Sequence, residues 1–257
     1  MLIRLIFTVN LILLISCSSI SKKELTIQER YDKANKYFSN KKFQKAKNEF
    51  QFIIDNEKSN AISLESSFYL AQSLFELKEY EEALYHFNHY SMFSKSIANI
   101  ELAQFMKCKC LFKLTAPYEN DQSQSFLCIS NIQEFLDNFP NSKYSIDANK
   151  MIEDLREKIS KKYYEEARLY LKMKKFEAAI YSLNIIFSNY YDTKYYDEAI
   201  ITYIFTYILM DEYNEAKKYF ELNKDNFNSN VKMKEAESIL IDYKDGIGLS
   251  GLFRLYR

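Results

Sequence analysis

The sequence predicts an all-α protein, a right-handed helical-repeat solenoid of about five helix pairs. Three observations carry that expectation. Three Gly and two Pro in 257 residues are too few for the tight turns that all-β folds require. Apolar residues recur at intervals of three and four rather than two, the spacing of a helix face. One pattern of small and large residues returns after 37 positions, as stacked repeats require.

The N-terminus reads as a processing signal. Residues 1–16 place Arg4 before a run from Leu5 to Ile15 that is apolar except for Thr8 and Asn10. That run is short for a membrane span and has the order of a secretory signal. It ends Leu14-Ile15-Ser16-Cys17, which resembles the bacterial lipobox. The resemblance implies cleavage between Ser16 and Cys17, a diacylglycerol on the Cys17 sulfur and acylation of the new amino group. Several acyl chains hold firmly where one holds weakly, at roughly 0.8 kcal/mol per buried CH₂. Ser18 and Ser19 come next, neither of them acidic, a feature that in such lipoproteins leans toward the outer membrane. Residues 18–26 are polar and read as a tether.

The repeat organises the rest of the chain. Ala34, Tyr37, Phe43, Ala46, Phe50 and Ile53 become, 37 residues on, Ala71, Leu74, Tyr80, Ala83, Phe87 and Tyr90. The series returns as Ala167, Tyr170, Phe176, Ala179, Leu183 and Ile186, then as Ile204, Tyr207, Tyr213, Ala216, Phe220 and Asn223. A middle copy is split by an eight-residue insertion: Cys108 and Leu111 open it, and Cys128, Ile132 and Phe135 close it. Each unit predicts two antiparallel helices crossing at the small residue, where Ala permits close approach. Polar turns join the halves at Ser39–Lys42, Leu77–Glu79 and Met173–Lys175. Thr115-Ala116-Pro117 stops one helix, and Ser142 is the expected N-cap of a long helix over residues 143–172, which hold no breaker.

The steps Phe43-x-x-Ala46-x-x-x-Phe50 and Tyr80-x-x-Ala83-x-x-x-Phe87 resemble the tetratricopeptide repeat. Further features occur in one order: the lipobox, the Asp121-Gln122 loop, Asn138-Phe139-Pro140-Asn141-Ser142, and Tyr164–Tyr170 running into Phe176–Ile180. Together they resemble the BamD family, lipoproteins of the outer-membrane β-barrel assembly machinery. The resemblance implies a scaffold on the periplasmic face of the outer membrane, docking a barrel insertase of BamA type and unfolded outer-membrane proteins. The organisation expected is a signal peptide at 1–16 and a lipidated tether at 17–26. N-terminal repeats occupy 27–142, a long linking helix with C-terminal repeats occupies 143–242, and a tail occupies 243–257. The competing expectation is a pilotin-like or envelope-division repeat adaptor.

In a stacked array the first helix of each pair lines the concave face. Asn35, Gln72, Phe75 and Glu76 are therefore candidates for an extended-peptide groove, with Tyr69 as an aromatic platform. Formal charge is zero, and one unit negative without residues 1–16, so no basic surplus points to nucleic acid. His86 and His89 are three apart, yet no ligand cluster at recognisable spacing accompanies them, and they read as a polar helix face. Cys108 and Cys128 are a candidate disulfide pair or simply small packing residues; with Cys110 they leave an odd thiol. No nucleophile triad, phosphate loop or acid pair stands out, so the expectation is a binding protein without a cofactor, not an enzyme. Leu249, Leu252, Phe253 and Tyr256 form a candidate apolar stripe in a tail holding all three glycines, or a frayed end.

Overall fold

The computed structural model describes residues 24–57 and 60–246. Ser16, Cys17 and the Leu249–Tyr256 stripe lie outside them. The described residues hold eleven α-helices, a short 3₁₀ turn and no strand. In chain order they are α1 (Ile27–Ser39), α2 (Phe43–Asn56), α3 (Ala61–Glu76), α4 (Tyr80–Phe93), α5 (Ile97–Leu114) and α6 (Ser123–Asn138). Then come α7 (Ser145–Lys172), α8 (Phe176–Asn189), α9 (Tyr195–Leu209), α10 (Tyr213–Asn223) and α11 (Asn230–Lys244). The chain forms two compact units, one ending at Leu77 and the other beginning at Lys78.

The crossing residues decide the fold. Ala34, Ala46, Ala71, Ala83, Ala167, Ala179, Ile204 and Ala216 are all fully buried, as is Cys128, and Cys108 is 1% exposed. Every crossing position of the register is therefore closed to water. A methyl group at these points lets two helix backbones approach, and a larger side chain would push them apart.

The turns inside the pairs repeat as well. Lys41, Lys78, Lys174 and Asp211 all have positive φ, between 56° and 66°. The first two are 37 apart, and so are the last two. The next N–H reaches back five residues to a carbonyl, Lys42 to Tyr37 at 2.8 Å, Lys175 to Tyr170 at 2.9 Å and Glu212 to Tyr207 at 2.9 Å. This is the left-handed helix ending in which glycine is the usual residue. The chain instead places lysine or aspartate there. At Thr115, the same step beyond Lys78, the backbone is extended and the insertion begins.

In the first unit, α1 opens on a capping box. The Glu29 N–H donates to Thr26 Oγ1 at 3.2 Å, and the Thr26 N–H donates to Glu29 Oε2 at 2.8 Å. Asn60 caps α3 through the Ser63 N–H at 2.8 Å. Helix α2 packs against α1 on one side and α3 on the other.

In the second unit, the 28-residue α7 joins two cores. It is about 42 Å long at 1.5 Å per residue. Ala148 and Leu155 in its first half pack with Phe105, Cys108, Cys128, Ile132 and Phe135. Ile159, Tyr164, Ala167 and Leu171 in its second half pack with Ala179, Leu183 and Ile186. A third core joins α9, α10 and α11 through Ile204, Ile208, Ala216, Phe220, Ala236 and Leu240.

Two local expectations need correcting. Ser142 does not cap α7. The helix starts at Ser145 with Tyr144 in the cap position, and the Ser142 hydroxyl accepts the Tyr144 N–H at 3.0 Å while donating to Glu101 at 2.6 Å. Tertiary bonding thus takes the hydroxyl that local pattern assigns to the helix end. His86 is buried rather than on a polar face, because it sits three residues past Ala83 on the packed side of α4.

Candidate partner-binding surface

The groove candidates of the first unit sit on α1 and α3. Tyr69 is half-buried in an aromatic cluster. It stacks on Phe50 at 5.6 Å and meets Phe38 edge-on at 5.5 Å and Tyr31 at 6.5 Å. Burial pushes the Tyr31 hydroxyl pKa up, against a hydrogen bond with Asn35 that lowers it. Asn35 and Tyr69 are thus joined through Tyr31. Gln72 and Phe75 are half-buried, and Glu76 is exposed at the end of α3. Tyr69, Gln72 and Glu76 succeed one another at helical spacing along one stripe. Amide, carboxylate and ring edges therefore share one unit, the chemistry that holds an extended peptide by its backbone and apolar side chains.

The same unit holds a charged cluster that the pattern of repeats does not announce. Glu49 accepts from Arg30 and Lys33, both at 2.6 Å, and the Arg30 guanidinium lies 3.7 Å from the centre of the Phe52 ring. Burial pushes the Glu49 carboxyl up, but the bonds from Lys33 and Arg30 prevail and hold it below the ordinary value. The only sequence signal is Arg30 and Lys33 three apart on α1, with Glu49 three residues past Ala46.

The second unit carries a tyrosine surface. Tyr203 and Tyr219 stack at 4.3 Å with planes 12° apart, Tyr207 meets Tyr203 at 5.4 Å, and Phe187 meets Tyr203 at 5.9 Å. All four rings are half-buried. Burial, then the neighbouring Tyr207, pushes the Tyr203 hydroxyl up to about 12, and Tyr219 is raised too, chiefly by burial. Positions 203 and 219 correspond through the repeat to Lys33 and Glu49. One cross-helix position is thus filled by an ion pair in one repeat and by stacked rings in another. The i, i+4 spacing of Tyr203 and Tyr207 hints at a ring pair; Tyr219 is brought in only by the fold.

The insertion loop is held against α7. Gln122 is buried, and its amide donates to Pro117 O at 2.7 Å and Asn120 O at 3.1 Å. Lys158 Nζ donates to Thr115 Oγ1 at 2.6 Å and Ala116 O at 3.1 Å, Lys162 Nζ donates to Asn120 O at 3.0 Å, and Lys161 lies 3.9 Å over the Tyr118 ring.

The three cysteines among the described residues are buried. Cys108, Cys110 and Cys128 are free thiols. Cys108 and Cys128 are in contact, with Cys128 Sγ 4.0 Å from Cys108 O. Burial pushes each of the three thiols up to about 12, which removes the thiolate that would act as nucleophile or ligand. Among the described residues no group of three or more His, Cys, Asp or Glu is placed to hold a metal. His89 is exposed and lies 4.7 Å from the Phe93 ring. No described helix is long and apolar enough to cross a membrane.

A family model described as YfiO: Outer membrane lipoprotein matches residues 23–241. The outer membrane protein assembly factor BamD of Rickettsia prowazekii (strain Madrid E) is 30% identical over 179 residues, covering 70% of this chain and 71% of its own. The factor of the same name from Caulobacter vibrioides is 21% identical over 140 residues, covering 54% of this chain and 46% of its own. Among solved structures, a tetratricopeptide repeat protein of Parabacteroides merdae aligns over 86% of this chain and 87% of its own, with 14% identity and a TM-score of 0.40. The TPR2AB domain of yeast Sti1 aligns over 84% and 97%, with 13% identity and a TM-score of 0.37. With nearly all of its described helices inside the matched span, the chain belongs to the YfiO family of outer membrane lipoproteins.

Proposed function

We propose that this chain is a lipid-anchored scaffold on the periplasmic face of the outer membrane, in the machinery that assembles β-barrel proteins. It docks a barrel insertase of BamA type and engages unfolded barrel substrates. The observation that carries this reading is its 30% identity with the BamD assembly factor of Rickettsia prowazekii across 70% of the chain. Physics supports it. A helical-repeat chain with two half-buried aromatic surfaces and inert thiols is equipped to bind extended chains rather than to transform them. Asn35, Tyr69, Gln72, Phe75 and Glu76 are the proposed substrate contacts, and a lipid on Cys17 is the proposed anchor. Such an anchor confines scaffold, insertase and substrate to one surface and raises their effective concentration.

The decisive experiment is affinity purification from solubilised envelopes. The dominant partner expected is a barrel insertase; a secretin in its place would overturn the proposal in favour of a pilotin-like adaptor. Replacing Cys17 with Ser is expected to release a folded protein from membranes, read by fractionation and circular dichroism. A Cys17→Ser protein that stays membrane-bound would refute the anchor.

A further inference from the structure

Four exposed apolar side chains gather at one end of the second unit. Ile146 is 82% exposed, Ile97 75%, Met92 68% and Phe93 58%. Met92 and Phe93 close α4, Ile97 opens α5, and Ile146 lies in the first turn of α7. The two turns share that end, because the Ser142 hydroxyl reaches Glu101 at 2.6 Å and Tyr144 stacks on Phe105 at 4.5 Å. These side chains stand in the terminal helix turns that flank the two connections at the apices of that end, and each is more than half exposed. Ser94, Lys95 and Ser96 lie between Phe93 and Ile97, and no carboxylate occurs between Glu82 and Glu101. Lys143 stands in the neighbouring turn, and the exposed Asp147 sits in the first turn of α7, where the helix dipole favours it.

A protein partner would need a surface shaped to these four side chains. A bilayer interface needs no such match. It accepts exposed apolar side chains flanked by hydroxyls and a lysine, and its anionic headgroups attract the lysine. Membership of an outer membrane lipoprotein family keeps such a surface within reach. We propose that the apices formed by Met92, Phe93, Ile97 and Ile146 insert into an anionic phospholipid surface, as a membrane contact additional to the Cys17 lipid. The proposal uses the lipid reading of Cys17 for delivery and is independent of any protein partner.

The chain has no Trp, so a single introduced Trp reports from one place. Phe93→Trp and Ile97→Trp test the apex, and Tyr181→Trp, at a site 69% exposed on α8, is the reference. The full lipidated protein is reconstituted into vesicles of phosphatidylethanolamine and phosphatidylglycerol with brominated acyl chains. The expected result is a blue-shifted emission and severalfold stronger quenching at both apex positions than at position 181. Equal quenching at all three positions would overturn the proposal. Failure of the protein to float with the vesicles would overturn both it and the lipid reading. Because the vesicles hold no other protein, neither outcome bears on insertase docking.

Discussion

At the residue scale, two features have measurable consequences. Lys174 holds φ at 57°, in a region where a side chain costs roughly 1–2 kcal/mol and glycine almost nothing. Lys174→Gly is therefore expected to stabilise the chain by about 0.5–1 kcal/mol once the extra freedom glycine gives the unfolded state is deducted. Glu153→Gly, at an exposed position in the interior of α7, is expected to destabilise by about 1 kcal/mol. Opposite shifts in denaturation midpoint test the pair; shifts of the same sign would contradict the left-handed ending. The thiols give the second. Each of Cys108, Cys110 and Cys128 is raised from 9.0 to about 12, first of all by burial. A raised folded value means stability that is complete below 9.0 and lost as pH rises toward 12. Replacing the three with Ala is expected to flatten that alkaline decline, and in the native protein at pH near 8 a thiol reagent is expected to label none of the three until denaturant is added. Labelling of Cys108 or Cys128 in the folded protein would show that the crossing is open.

At the element scale, α11 depends on one buried carboxylate. Asp197 is 5% exposed and accepts the backbone N–H groups of Asn228 at 2.9 Å and Ser229 at 2.8 Å, just ahead of the helix. Asp197→Ala would strand both donors, and hydrogen bonds to a charged group contribute roughly 1.5–3 kcal/mol. The expected outcome is faster amide exchange throughout α11 with little change in α4 and α5; unchanged exchange in α11 would mean that its packing through Ala236, Ile239 and Leu240 suffices. The helix pairs themselves are legible in the sequence, because Ala46, Ala83, Ala179 and Ala216 fall in register and a small residue at a crossing has one physical reason to recur. The role of Asp197 is not legible there, since its partners are backbone groups thirty-odd residues away. The same holds for Lys158, Lys161 and Lys162. In sequence they are a basic stretch of helix, and only the folded insertion gives them carbonyls and a ring to hold. Tyr69 illustrates the converse: the register puts it on α3, but its stacking on Phe50 depends on the neighbouring helix pair.

At the scale of the whole molecule, stability in a repeat array is close to a sum of repeat terms and nearest-neighbour interfaces. Three cores described in the second unit have that form. One spans α5, α6 and the first half of α7, one spans the second half of α7 with α8, and one spans α9 to α11. A lesion at one crossing should therefore be felt mostly by its own core and the next. Ala179 is fully buried among Ile159, Tyr164, Ala167, Leu171 and Leu183. Ala179→Leu is expected to cost about 1–3 kcal/mol through overpacking. The loss of exchange protection should be greatest in α7 and α8, smaller in α9 and least in α4. Within α7 it should be steeper after Ile159 than before Leu155, because the helix changes cores between them. A uniform loss from α4 to α11 would mean that the unit folds as a single cooperative block, and the repeat description would then hold for its geometry but not for its energetics.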